Sequence, residues 1–317
     1  MTGDPPPEAT AASSGPPGGD PDPSVPDLPP PPDLPPIPDD ATATRGRHFR
    51  RLLGSPVTLV LTAILALAAL VAVGAQAGFG LGAAVAGGVV LLAVIVVWVL
   101  ASSQAASDFF TAYAQGRGLS RVDGHTDLPP ITPLLRMGDR RYAEQRFNGV
   151  LPGGIDGSLC LYTYEDRSTD SDGDTETTYV HYTIVMTQLP ATAPFVQEMF
   201  CQRRLGFRFM DSMEDVFRRR QRVEQESAAV DKAFEIFIGA RDDMTRARRV
   251  LSPTFLVWLE QNSAEEFAFE LVAGSLVTNV KGHKKSAAEL DLLCQASAAV
   301  ARRLQGEATE LGTPAQA

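Results

Sequence analysis

The chain has 317 residues, of which 44% are hydrophobic, and its 28 Lys and Arg against 38 Asp and Glu give a net charge of −10. Eight acidic residues and no basic residue lie in residues 1–44, so the remainder, with 28 basic and 30 acidic residues, carries only −2. A nearly neutral body argues against a nucleic-acid binder whose affinity depends on a strongly basic surface, and the length allows one sizeable core plus attachments.

Residues 1–44 are predicted to be a disordered tail rich in Pro and Asp. Fifteen of the 24 prolines fall in the first 40 residues, with almost no large apolar side chain to bury. Such a segment cannot offset its ordering entropy. It could be a proline-motif ligand, an acidic arm that screens a basic partner, or a solvated tail. It is not a secretory signal, because basic residues begin only at Arg45 and the apolar region after them is too long.

Residues 56–101 are predicted to form a transmembrane helical hairpin with spans at 56–75 and 79–101. No charged residue occurs from Leu52 to Ser107, and one transmembrane helix needs about 20 apolar residues. Because neither span contains an ionisable residue, the usual marker of a transporter or proton relay is missing. A channel or transporter subunit is thereby disfavoured, although oligomerisation could still build a pore.

A basic juxtamembrane segment, residues 45–55, sets the orientation. Its arginines directly precede the first span, whereas the turn between the spans is uncharged. The positive-inside rule makes the N-terminus cytoplasmic, and two spans return the C-terminal part to the same side. The ratio of 24 Arg to 4 Lys indicates a GC-rich bacterial genome, so we expect a bacterial plasma-membrane protein with both termini cytoplasmic. The topology-determining residues are Arg45, Arg47, Arg50 and Arg51.

Small residues repeat at four-residue spacing in the predicted hairpin. Gly74, Gly78 and Gly82 are followed by Ala83 with Gly87 and by Ala84 with Gly88. Such spacing allows close helix packing, either within the hairpin or with another copy in a homo-oligomer.

Residues 102–306 are predicted to be a cytosolic α+β domain with a mainly antiparallel sheet, and residues 307–317 a disordered tail. The second span continues as a helix to Gly116 or Gly118. Polar or glycine-containing turns predict hairpins of the second with the third strand and of the last two strands. Three scattered cysteines indicate free thiols rather than disulfides. The predicted strands are 141–150, 157–165, 177–188, 195–202, 234–239, 267–272 and 276–280, and the predicted helices are 212–220, 244–251, 252–258 and 286–304.

The stretch from Glu224 to Val280 resembles a family of bacterial domains of unknown function. The resemblance is carried by Gln225-Glu-Ser, Phe234-Glu-Ile-Phe, Arg241-Asp-Asp, Ala247-Arg-Arg-Val-Leu-Ser-Pro253 and the two strands after Phe267. Members of that family have two N-terminal spans and a cytosolic domain. In this chain Ala229 or Val230 stands where an aromatic residue is often found, and Ser252 stands in place of Thr. The resemblance implies this architecture and no activity.

The candidate sites are weak. Residues 170–176 are rich in Asp but miss the calcium-loop spacing, which indicates an exposed hairpin loop. Gly149, Gly153, Gly154 and Gly157 lack a phosphate-loop signature and predict turns and a bulge. Cys160 and His181 could face each other as a nucleophilic pair, although a buried structural cysteine is commoner. No histidines have metal-ligand spacing, so no catalytic motif, cofactor site or metal site is predicted.

An arginine cluster is the strongest surface feature. It could contact the anionic inner leaflet or an acidic partner, or its charges could be compensated by intramolecular salt bridges. We expect a non-enzymatic interaction or scaffold domain that binds an unknown protein partner at the membrane. The alternative is a membrane-surface enzyme that acts on a lipid headgroup or small molecule. The cluster consists of Arg203, Arg204, Arg208, Arg218, Arg219, Arg220 and Arg222.

Overall fold

The computed structural model describes residues 37, 63–65, 67–68, 71–72, 79–169, 172–204, 220–225 and 227–312. In this part of the chain, strands and helices follow one another in an irregular order, as the sequence predicts. The strands are β1 (Ser120–Thr126), β2 (Arg140–Leu151), β3 (Ile155–Thr169), β4 (Thr175–Gln188), β5 (Glu198–Arg203), β6 (Gln221–Arg222), β7 (Phe234–Ile238), β8 (Ala268–Val272) and β9 (Ser275–Lys281). The helices are α1 (Phe79–Arg117), α2 (Ala228–Ala233), α3 (Met244–Val250), α4 (Pro253–Asn262) and α5 (Ala287–Gly312), with short 3-10 helices at Leu134–Arg136 and Pro190–Thr192.

The nine strands form one sheet in the order β1-β2-β3-β4-β9-β8-β5-β7-β6, and every described pairing is antiparallel. Alternation along β3 separates two cores. Leu159 and Leu161 point into the larger core, which the helices cover. Cys160 and Tyr162 point into a smaller core on the opposite face, which the segment 128–137 covers with Leu134 and Leu135. The fold is therefore an α+β domain whose two sheet faces are both occupied.

Helix α1 belongs to both the apolar segment and the domain. Among the described side chains before Ala101, only Val97 is buried, whereas Ala101, Ala105, Phe109 and Tyr113 recur at four-residue spacing and are buried. This helix is the one described element that is long and apolar enough to cross a membrane. The expected continuation of the second span as a helix is confirmed, with its end at Arg117.

Most predicted elements of the domain are confirmed. Strands β3 and β4 pair in register from Ser158 with Met186 to Thr169 with Thr175, and β8 pairs with β9. Asp243 and Ser252 cap α3 and α4 by accepting hydrogen bonds from backbone N–H groups. Strand β1 was not predicted, because Ser120–Thr126 contains one large apolar residue and is mostly exposed.

Several predictions differ from the structure or lie outside the described residues. Helix α5 continues to Gly312, and Glu307 and Ala308 are buried, so the tail boundary at 307 is placed too early. Only one apolar helix is found in the described part of the chain, so the two-helix hairpin is not seen there. Most of the span 56–75 lies outside that part, although its described residues are helical. The tail 1–44, apart from Ile37, and the helix 212–220, apart from Arg220, also lie outside it.

Candidate functional site

Four neighbouring segments of the sheet bring together two histidines, a glutamate and a threonine. Thr163 on β3 pairs with His181 on β4, Glu144 lies at the bulge of β2, and His283 follows the end of β9. One side-chain ligand atom from each of Glu144, His181 and His283 lies within 4.8 Å of the other two. We call these three side chains the His–Glu cluster.

The hydrogen bonds around Thr163 determine the imidazole tautomers. Its Oγ1 lies 2.8 Å from Oε1 of Glu144 and 2.9 Å from Nδ1 of His181. The hydroxyl has one proton, which it donates to the carboxylate, so it accepts from a protonated Nδ1 of His181. Nε2 of His283 lies 3.1 Å from the carbonyl oxygen of Tyr162 and donates to it. The other nitrogen of His283, Nδ1, then carries a lone pair, and it lies 3.7 Å from Oε2 of Glu144.

A left-handed turn at Gly282 positions His283. The φ angle of Gly282 is 80°, a conformation that favours glycine. Its N–H donates to the carbonyl of His181 at 2.7 Å. The hydroxyl of Thr183 donates to the carbonyl of Gly282 and accepts from the N–H of Lys284, both at 2.8 Å. These bonds hold the chain beyond β9 against the neighbouring strand.

Burial decides the charge state of His283. Its side chain is 11% exposed, whereas that of Glu144 is 37% exposed. Burial lowers the pKa of His283, and the nearby Glu144 carboxylate opposes this effect. The neutral imidazole, which is the form that binds metals, is therefore favoured near neutral pH.

A second polar centre lies on the opposite face of the sheet. Glu270 on β8 is 1% exposed, and its carboxylate oxygens accept from the N–H of Leu134 at 3.1 and 3.2 Å. Burial raises the pKa of Glu270 to about 7, although the Leu134 N–H and the charges of Arg220 and Arg136 lower it. Sequence reasoning missed Glu270, because an acidic residue in a strand gives no sign of whether it is buried.

A surface groove of about 600 Å³ has a mixed charged lining. His125 stacks on Tyr142 there with ring centroids 4.1 Å apart. Neither Cys160 nor His181 contributes to it. The lining residues include His125, Asp127, Asp139, Arg141, Tyr142 and Glu165.

The hypothesis of a Cys160–His181 nucleophilic pair is wrong. Cys160 pairs with Ile184 in the sheet register, and His181 pairs with Thr163. Cys160 points into the smaller core, whereas His181 lies with Thr163 on the other face. Burial raises the pKa of the Cys160 thiol to about 12, which makes the thiolate unavailable.

The acidic and glycine-rich stretches occupy turns, as predicted. Residues 172–176 are exposed, whereas residues 170–171 lie outside the described part of the chain. Gly149, Gly153 and Gly154 have positive φ angles, and the last two lie in the tight β2–β3 turn. A Cβ on Gly153 would meet that of Ala298 at 2.7 Å, so this turn packs directly on α5.

The described members of the arginine cluster have acidic neighbours within the domain. Arg203 is buried and lies 3.6 Å from Glu260, and Arg220 lies 2.8 Å from Glu198 and over the ring of Phe200. Their charges are compensated as the salt-bridge alternative predicts, and the membrane or partner surface stays a prediction. Arg204 lies near Glu235, and Arg222 lies near Asp231. The residues outside the described part of the chain are Arg208, Arg218 and Arg219, together with Arg45, Arg47, Arg50 and Arg51, which are predicted to determine the topology.

The chain was compared with family models, with curated proteins and with solved structures, and no match was found in any of the three. The resemblance to a family of bacterial domains of unknown function therefore stays a prediction.

Proposed function

We propose that this protein is a non-enzymatic interaction or scaffold protein, held at the inner face of a bacterial plasma membrane by two spans. Its α+β domain presents a fixed surface to a protein partner. The continuity of α1 from the apolar segment into the domain core carries this proposal.

Helix α1 is suited to hold the domain rigidly. Residues 79–100 would extend about 33 Å at 1.5 Å per residue, which matches a hydrocarbon core of about 30 Å. The helix then continues through residues 101–117, one face of which packs in the larger core, and no Gly or Pro interrupts it between Gly88 and Gly116. A span without a hinge transmits its orientation to the domain, unlike a flexible tether.

The contact of Ile37 supports the second span. Ile37 packs against the larger core, and its Cγ1 lies 3.3 Å from where a Cβ on Gly116 would be. If α1 crosses a bilayer, this contact supports a topology in which Ile37 and the domain lie on the same side and an even number of crossings separates them. We take the uncharged stretch 56–75 as the second crossing.

Labelling of cysteines introduced one at a time tests this topology. The native cysteines are buried, so background labelling is low. With a membrane-impermeant maleimide on intact cells, we expect Ala77→Cys to react and Val150→Cys, at an exposed position of β2, to react only after lysis. Labelling of Val150→Cys in intact cells would overturn the cytoplasmic placement.

In-cell crosslinking of the full-length protein, followed by mass spectrometry, tests the scaffold role. A recurrent foreign protein linked to residues 102–306 supports the proposal and identifies the process. Capture of this protein and lipid alone counts against it. That second outcome would favour the membrane-surface enzyme, for which the described residues offer no pocket that unites Cys160 with His181.

A homo-oligomer is part of the proposal through the small-residue face of α1. Among the described residues, a Cβ added at Gly87 or Gly88 would meet no atom within 4 Å. We infer that this face packs against another helix, supplied by the first span or by a second copy. Crosslinking between differently tagged copies distinguishes the two.

A further inference from the structure

The His–Glu cluster places two electron-pair donors against each other. Because the carbonyl of Tyr162 accepts from Nε2 of His283, the lone pair of Nδ1 is left on the side of Glu144, 3.7 Å from Oε2. A divalent metal ion placed between these two atoms would be bound by both of them, and a ring nitrogen of His181 lies within 4.8 Å of a ligand atom of each residue.

The spacing suits a metal ion. Zn²⁺ binds imidazole nitrogen and carboxylate oxygen at about 2.0–2.2 Å, so neighbouring ligands of a tetrahedral ion lie about 3.3–3.5 Å apart. The 3.7 Å separation of His283 and Glu144 needs to shorten by a few tenths of an ångström. His181 completes the set within 4.8 Å, and as an exposed side chain it has room to adjust its ring.

The surroundings resemble the outer shell of a metal site. Metal-binding histidines usually donate their second N–H to a carbonyl or carboxylate, which fixes the tautomer. His283 donates to the backbone carbonyl of Tyr162, and Thr163 bonds both to Glu144 and to His181. The orientations of His283 and Glu144 are therefore set by these hydrogen bonds.

We propose that Glu144, His181 and His283 bind one divalent transition-metal ion, of which Zn²⁺ fits best. Two imidazoles and one carboxylate favour Zn²⁺ over Ca²⁺ or Mg²⁺, which prefer oxygen ligands alone. The three side chains come from β2, β4 and the segment after β9. The ion therefore links β2 to β9, the two strands that flank the β3–β4 pair in the sheet. A fourth coordination position is left open to water or to an incoming donor.

Zinc titration of the full-length protein in detergent, purified with a tag that contains no histidine and stripped with a chelator, tests this site. We expect one Zn²⁺ per chain by calorimetry and by elemental analysis after gel filtration. Excess Zn²⁺ at about 100 times Kd should raise Tm by about 5–10 °C. The variants Glu144→Gln and His181→Asn should weaken binding at least tenfold, since even outer-shell changes cost about 10–100-fold.

His125→Asn is the matched control, because His125 stacks on Tyr142 outside the cluster and its variant should bind like the wild type. Both ligand variants remove partly or fully exposed side chains, so their metal-free Tm should stay close to that of the control. The proposal is overturned if saturable Zn²⁺ binding is absent, or if its affinity is unchanged in Glu144→Gln and His181→Asn.

Discussion

At the scale of single residues, the buried carboxyl of Glu270 makes the stability of the domain depend on pH. Its pKa of about 7, against an ordinary value of 4.5, means that the folded state holds this proton more tightly than the unfolded state. The stabilisation is complete below about pH 4.5 and is lost as the pH rises through 7. At 1.36 kcal/mol per pKa unit, the loss is at most about 3 kcal/mol.

The variant Glu270→Gln should therefore flatten the pH profile. Its amide oxygen can still accept from the N–H of Leu134, and it has no charge to bury. We expect the wild type to lose up to about 3 kcal/mol of unfolding free energy between pH 5 and 8, and the variant to lose correspondingly less. Urea unfolding at both pH values measures this difference, with Glu265→Gln, at an exposed position, as the control. Parallel profiles for wild type and Glu270→Gln would contradict the prediction.

Individual residues were the hardest part to predict from sequence. Glu144, His181 and His283 are separated by 36 residues or more, and only the strand register and the Gly282 turn bring them together. The arginines show the same limit, because Arg203 reaches Glu260 and Arg204 reaches Glu235. Charge counts reveal neither partner, since pairing is set by how the strands and helices are folded together.

At the scale of secondary-structure elements, Asp291 joins α1 to α5. It accepts from the hydroxyl of Tyr113 at 3.0 Å and from Nε and Nη2 of Arg117 at 3.1 and 2.5 Å. The Arg117 side chain is 5% exposed and that of Asp291 10%. The end of the long helix is thus held to the domain by a buried, bidentate ion pair.

The variant Asp291→Ala should loosen this junction, because it leaves the guanidinium of Arg117 buried without the carboxylate. Breaking a buried pair on one side costs about 3–5 kcal/mol, and Asp291→Asn should cost less, since its amide oxygen still accepts. Urea unfolding of the full-length protein measures both. Gln305→Ala, at an exposed position of α5, should change stability by about 0.5 kcal/mol or less. Equal stability of Asp291→Ala and the control would show that the pair does not hold α1.

Elements with strong local signals were predicted well. The β-branched and aromatic residues of Thr175–Gln188 and the polar turn before them predict a hairpin, which is observed, and Asp243 and Ser252 mark two helix starts. Strand β1 lacks such a signal, because it exists through pairing with β2 along the sheet edge. The end of α5 was missed for a similar reason, since Glu307 is held by Arg249 of α3 through the fold.

At the scale of the whole molecule, the sequence predicted an α+β domain behind two apolar spans and the continuation of the second span as a helix, and it did not predict that this helix packs into the domain core. Phe109 and Tyr113 belong to the helix that begins at Phe79, and both pack in the larger core, so the apolar part of this helix runs into the domain without a break. If that part spans a membrane as proposed, the direction in which the domain faces is set by the number of residues between span and core.

Alanine insertions between Leu100 and Ala101 test whether orientation about the helix axis matters. Each residue adds about 100° of rotation and 1.5 Å of height. Two alanines rotate the domain by about 200° and raise it by about 3 Å, whereas four rotate it by a net of about 40° and raise it by about 6 Å. Both variants should keep the domain core, because residues 101–117 keep their own spacing, and an unchanged Tm checks this.

If the domain binds a membrane partner as proposed, we expect the insertion of two alanines to abolish in-cell crosslinks between the two, and the insertion of four to retain most of them. The reason is that a rigid helix turns the partner-binding surface away in the first variant and nearly restores it in the second. The measurement is the crosslink yield of each insertion variant relative to that of the wild type. The opposite order would mean that height above the bilayer governs the contact, and equal yields would mean that the domain moves freely on its anchor.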